Sequence, residues 1–307
     1  MLRQPTSVPK HLVVFAHGKE SGPWGTKITH LAETARRRGF EVLSPDYSHS
    51  QDPGVRIQQL LELAPKARQT LVLVGSSMGG YVSLRASETL RPDALMLLAP
   101  ALYFPDFGED PAPPAVNAIV HGWEDDVVPA ERAIRYASKH GANLHMLRTG
   151  HTLNDRLSEL EKIFDDLLLK AQLAGAYRLA RYAITAPNGE ISRYIGRVDV
   201  VADARLKADC GIASEWAIVT ACNPHGKQLD DGENVPRIAA LRQRIDTTGV
   251  RRLFAAGYDP EGRWQAEASE LLCDPPAGFA ETLGREFGQN AIVRGRLGSA
   301  PELVWLR

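Results

Sequence analysis

Thr70-Leu-Val-Leu-Val-Gly-Ser-Ser-Met-Gly-Gly-Tyr-Val-Ser-Leu-Arg-Ala86 joins two patterns at one serine. Leu71 to Val74 is a short apolar, β-branched run stopped by Gly75, and a helix-compatible run starts at Gly79. Between them, Gly75-Ser76-Ser77-Met78-Gly79 is a G-x-S-x-G frame with Ser77 at its centre. A strand that turns at once into a helix forces its corner residue into a strained conformation and lifts that side chain above the sheet. A Cβ at either flanking glycine would clash in so sharp a turn. The following helix aims its free N–H groups and positive dipole end at the same spot, which suits an oxyanion. The competing reading is a glycine-rich packing turn with a solvated serine.

Working outward, apolar strands are expected at His11–Ala16, Phe40–Leu43, Ala94–Ala99, Val116–Val120 and Leu144–Leu147. Helical periods separate most of them: Thr26 to Arg38, Val55 to Leu63, Ala130 to Lys139, and a closing helix from Leu153 to about Leu173. Strands apolar throughout, each followed by a helical stretch, mark a parallel sheet covered on both faces. The expected fold is α/β, a doubly wound, mostly parallel six-stranded sheet, in which ligands gather beyond the carboxyl ends of the strands.

A serine hydroxyl needs a base within hydrogen-bond reach and an acid to orient that base. His151 follows the sixth strand after Thr149-Gly150, and of nine histidines it is the one placed to reach Ser77. Asp125 follows the fifth strand in His121-Gly-Trp-Glu-Asp-Asp-Val-Val-Pro129; Asp126 is its rival as the acid, and Asp125 could instead be an N-terminal charge for the helix starting at Ala130. Asp155 reads as a cap for the last helix.

These residues carry a family resemblance. His17-Gly18, Gly75-Ser-Ser-Met-Gly79, His121-Gly-x-x-Asp125-x-x-Val128-Pro129 and Gly150-His151 resemble the α/β-hydrolase superfamily over residues from about 11 to 170, in a small form lacking the usual leading antiparallel strands. The order Ser, Asp, His is the one that superfamily uses. The loop Ala16-His-Gly-Lys-Glu-Ser-Gly-Pro-Trp-Gly-Thr-Lys27, with Pro45-Asp-Tyr47, is similar to the compact YqiA/YcfP-type serine esterase group. The resemblance implies an oxyanion hole from the backbone N–H groups of Met78 and Lys19, and structural roles for His17 and His121. The expected activity is a carboxylesterase cleaving small or short-chain acyl esters, with no metal or organic cofactor. A thioesterase, lactonase or amidase with the same triad, or a non-catalytic hydrolase-fold scaffold, are the alternatives. Trp24, Tyr103, Phe104 and Trp123 are candidates for the rim of the substrate pocket, each able to serve equally as packing.

Past Lys170-Ala-Gln-Leu-Ala-Gly-Ala176 the pattern changes. Hairpin signals such as Pro187-Asn-Gly-Glu190 alternate with helical runs, which argues a smaller α+β domain. The expected division is a catalytic domain over 10–173 and a second domain over 177–307. Ile218-Val-Thr-Ala-Cys-Asn-Pro224, Glu233-Asn234, Trp264-x-x-Glu267-x-Ser269 and Phe287-Gly-Gln-Asn-Ala-Ile292 resemble the uncharacterised family DUF3293. Thr220, Asn223, Asn234, Glu267, Gln289 and Asn290 either converge there or serve as turn, helix-cap and loop residues.

Composition sets the remaining expectations. The 307 residues are 44% hydrophobic and 24% charged, with a formal net charge of −1, which gives no electrostatic reason to expect nucleic acid or an anionic membrane as partner. A small-molecule acyl substrate is the expected partner. Met1 to Lys10 has no apolar core segment and does not read as a signal peptide. Cys210, Cys222 and Cys273, odd in number and without ligand-like spacing, read as buried thiols in a reducing cytoplasm.

Overall fold

Residues with two apolar neighbours in sequence cannot keep one face in water, so a run such as His11–Ala16 is stable only between two covering layers. In the computed structural model that run is β1, and Leu12 to Ala16 are all buried. The structure describes residues 8–103, 109–260, 262 and 265–306; Phe104 and Trp264 lie outside the described residues. It divides into two units, 1–175 and 176–307.

In the first unit the remaining strands are β2 (Glu41–Leu43), β3 (Thr70–Ser76), β4 (Ala94–Leu98), β5 (Asn117–Gly122) and β6 (Leu144–Leu147). All pair in parallel, in the order β2-β1-β3-β4-β5-β6. The helices are α1 (Thr26–Arg37), α2 (Pro53–Leu63), α3 (Met78–Leu90), α4 (Ala130–His140) and α5 (Leu157–Leu179). Alternate strand residues serve opposite faces. Leu12, Val14, Leu71, Leu73, Leu95, Leu97 and Ile119 pack with Leu60 of α2, Val82 and Leu84 of α3, and Ala133 and Tyr136 of α4. On the other face Phe15 meets Phe164 of α5, and Arg38, just past α1, pairs with Asp165 of the same helix. The sheet is therefore doubly wound. Its order reverses between β1 and β3, and the ends of these two strands define the crevice where such folds bind ligands.

The expected helix end near Leu173 needs correcting, because α5 continues to Leu179. Gly175, within this extension, is a packing glycine: a Cβ there would lie 2.5 Å from the Gln69 carbonyl oxygen.

Among the described residues, the second unit is a seven-stranded antiparallel sheet with three α-helices. Its strands are β7 (Arg181–Ala186), β8 (Gly189–Arg193), β9 (Glu215–Thr220), β10 (Arg252–Tyr258), β11 (Glu267–Cys273), β12 (Ala291–Arg296) and β13 (Glu302–Trp305). The order is β13-β12-β9-β11-β10-β7-β8. Trp216 and Ile218 of β9 pack with Leu206 and Cys210 of α6 (Val200–Cys210) on one face. Ala217 and Val219 meet α7 (Asp231–Asp246) and α8 (Phe279–Glu286) on the other. The three cysteines are buried and unbridged. Among the described residues, no helix is long and apolar enough to cross a membrane.

Candidate active site

The turn from β3 into α3 puts Ser77 at φ 54°, ψ −119°, a left-handed conformation that costs an L-residue of order 1–3 kcal/mol. Two close approaches hold it. A Cβ on Gly75 would lie 2.1 Å from the Gly79 carbonyl oxygen, and a Cβ on Gly79 would lie 2.1 Å from that of Ala16, so α3 rides directly on the end of β1. Serine at a helix N-cap ordinarily bonds its own first turn. Ser77 makes no such cap, and its Oγ lies 3.1 Å from His151 Nε2 instead.

His151 Nδ1 lies 2.8 Å from Asp125 Oδ2 and 3.0 Å from Oδ1. An ionised carboxylate only accepts, so Nδ1 carries the ring proton and Nε2 is left to accept from the serine hydroxyl. The Asp125 side chain is fully buried and tightly held: Oδ1 accepts from the Val127 and Val128 N–H groups, and His121 Nε2 lies 3.2 Å from Oδ2. Burial alone would raise its pKa; the Val128, His151 and Val127 hydrogen bonds outweigh that and hold the carboxyl below the usual range. Asp126 is exposed, so of the two neighbours the structure brings Asp125 to the histidine. Asp155, expected as a cap, instead accepts from the Thr149 hydroxyl.

Met78 and Lys19, whose N–H groups the resemblance assigns to an oxyanion hole, both border the crevice. Met78 is the first residue of α3 and Lys19 sits in the loop after β1; both line a cavity of about 670 Å³ together with Ser77 and His151. Neither amide donates to another described residue in the turns and loops. The loop is pinned by two fully buried polar side chains. His17 Nδ1–H donates to the Gly18 carbonyl and its Nε2 accepts from the Tyr47 N–H; burial lowers its pKa, keeping the ring neutral. Arg56 of α2 donates to the carbonyls of His17, Gly18 and Lys19 at 3.3, 3.0 and 3.1 Å, and to that of Ser50 at 2.7 Å. His121 lies under Asp125, its Nε2–H shared with the Val128 carbonyl.

Three of the proposed rim aromatics do not line this cavity. Trp24 is 49% exposed with the Arg36 guanidinium over its ring, and Trp123 is 58% exposed. The Tyr103 ring packs on the core and under Arg135, 4.5 Å from its guanidinium carbon. Apolar wall is supplied instead by Ile28, Pro53, Met78, Ala101, Val127 and Val128. Two cavity-related residues were missed in the sequence. Arg56 falls on the buried stripe of α2 with Pro53 and Leu60, a charged residue in apolar phase. Lys27 lies in the first turn of α1, where a helix dipole disfavours a cation.

In the second unit, Asn223, Asn234 and Glu267 do converge. Asn223 Nδ2 donates to Glu267 at 2.6 Å, and the two asparagines bond each other beside a small cavity of about 100 Å³. Asn234 does not cap α7; Asp230 does. Thr220 and Gln289 are tied to the Ala268 and Cys222 carbonyls. Burial raises the Glu267 pKa, with the Asn223 bond pulling the other way.

Residues 12–111 match a family described as Uncharacterised protein family (UPF0227), and residues 219–292 match Protein of unknown function (DUF3293). A solved structure described as a putative hydrolase of the alpha/beta superfamily, from Xanthomonas campestris pv. campestris, is 32% identical over 52% of this chain and 98% of that one, with a TM-score of 0.49. Another Xanthomonas campestris protein, described as an a/b serine hydrolase without lid, is 22% identical over 54% and 85%, TM-score 0.42. Est1E from Butyrivibrio proteoclasticus is 19% identical over 55% and 90%, TM-score 0.44. None of the curated proteins compared with the chain matches it.

Proposed function

Because the first unit of this chain belongs to the α/β-hydrolase superfamily, we propose that it is a serine carboxylesterase acting on small or short-chain acyl esters. The observation that carries this reading is the continuous contact from Ser77 Oγ through His151 to the buried Asp125. Ser77 attacks the acyl carbonyl while His151 Nε2 takes its proton. Asp125 holds the Nδ1–H tautomer and stabilises the imidazolium. The Met78 and Lys19 N–H groups receive the oxyanion, each such donor being worth about 3–4 kcal/mol in comparable sites. His151 then protonates the departing alcohol, and water activated by the same ring releases the acid and regenerates Ser77.

The cavity supports a small substrate: its volume, about 670 Å³, lies within the range of small-ligand sites. Two measurements test the proposal. A fluorophosphonate probe should label the intact chain and leave a folded Ser77→Ala variant unlabelled. Hydrolysis of 4-nitrophenyl esters of rising chain length should peak among the short acyl groups. Equal labelling of both proteins removes the nucleophile, and a long-chain preference removes the substrate class.

A further inference from the structure

Lys27 is the second residue of α1 and lines the same cavity as Ser77 and His151. Its ammonium has no hydrogen-bond or ion-pair partner among the described residues. It stands, moreover, at the positive end of its own helix, whose first turn holds no acidic residue to offset it. Gly25, Thr26 and Ile28 line the cavity beside it, at the turn where the first N–H groups of α1 lack intrahelical partners. A partly desolvated cation placed against a like-signed dipole is costly to hold, and an incoming anion relieves that cost.

We propose that the ester hydrolysed here carries a free carboxylate, and that the Lys27 ammonium receives it. This rests on the serine-hydrolase reading above and names the substrate class of that site. Among the described residues, Lys19 and Glu20 also line the cavity but are exposed, whereas Lys27 is half-buried, and Asp125 lies buried behind His151. Lys27 is thus the less exposed of the two lysines that line it. Burial lowers its pKa to about 8, with Asp125 opposing the fall. The side chain is therefore charged below that pH and neutral above it.

The test compares matched ester pairs on the full chain. One pair places the carboxylate on the acyl side (4-nitrophenyl hydrogen adipate against 4-nitrophenyl hexanoate). The other places it on the alcohol side (4-acetoxybenzoate against 4-methylphenyl acetate). In the wild type one pair should show a kcat/KM ratio favouring the anion by about tenfold at neutral pH, the scale of a charged hydrogen bond. In that pair the ratio should collapse towards one in Lys27→Met and return in Lys27→Arg. In the wild type alone it should decline as pH rises through about 8. Both members of a pair use the same nucleophile and base, so the ratio isolates the response to the substrate carboxylate. Should Lys27→Met fail to fold, the wild-type pH profile still decides. Hydrolysis with ratios that ignore both substitution and pH overturns the inference and leaves the esterase reading standing. No hydrolysis of any ester, with no fluorophosphonate labelling, overturns both.

Discussion

Replacing Arg56 with Met would separate a positioning role from bulk stability. The guanidinium is fully buried and donates to four backbone carbonyls, three of them consecutive in the loop that carries the Lys19 N–H. Fixing three successive carbonyls fixes the peptide planes between them, and with these the direction of the Lys19 amide. Each such bond is worth roughly 1.5–3 kcal/mol, while desolvation of the cation cancels much of the sum; the net loss of stability should be about 2–4 kcal/mol. The catalytic loss should be larger than that stability change implies. Misdirecting one oxyanion donor costs about a hundredfold to a thousandfold in kcat. The assay is steady-state hydrolysis of a short 4-nitrophenyl ester well below the melting temperature, with Tm measured alongside. The expected result is a collapsed kcat, a KM changed little and partial return in Arg56→Lys. A folded Arg56→Met variant with kcat within about threefold of wild type would refute the reasoning, because it would show the loop holding its shape without the clamp.

Asp125→Asn should lower kcat by about ten-thousandfold through loss of the Nδ1–H tautomer, with Tm altered far less; kinetics and thermal unfolding of the same sample check both. Gly79→Ala should not yield a stable fold, because its Cβ would sit 2.1 Å from the Ala16 carbonyl oxygen; circular dichroism and melting curves decide. In the second unit, Asp274 accepts from the Ala213, Ser214 and Glu215 N–H groups. Burial pushes its pKa up, but these three bonds outweigh it and leave the carboxyl below its ordinary 3.8. A depressed folded-state pKa means stabilisation present above 3.8 and lost as pH falls through the lower folded value. The Tm difference between wild type and Asp274→Ala should therefore be full at neutral pH and shrink in strong acid.

The parts legible in the sequence were those where burial leaves one solution. Leu12 to Ala16 and Leu71 to Val74 are apolar on both faces, so a covered parallel sheet followed, and with it the edge where Ser77, Asp125 and His151 meet. Gly75 and Gly79 were readable because a sharp corner admits no side chain. Elsewhere one residue type serves two physical ends. The helix expected to stop near Leu173 runs on to Leu179, with Gly175 packed against the Gln69 carbonyl. Asn234 looked like a helix cap, yet Asp230 takes that place and frees the amide to bond Asn223. Trp24 and Tyr103 lie elsewhere than the cavity because a Trp or Tyr is equally at home under an arginine, as both are. Arg56 was invisible because its partners are main-chain carbonyls, which leave no complementary charge to find.

The carboxylate that serves His151 is oriented almost wholly by its own neighbourhood: His121, Val127 and Val128 all lie within four residues of it. This short segment is a self-contained cassette whose length is frozen, since a residue inserted before Asp125 would displace His121 and one inserted after it would displace Val127 and Val128. The turn between α4 and β6 at 141–143 bonds neither the acid nor the base; its fixed point is Asn143, bonded to Asn117 and Ile119. Chain-length variation between the acid and the base should therefore be absorbed there, and a relative of different length could still present the same acid at the same depth.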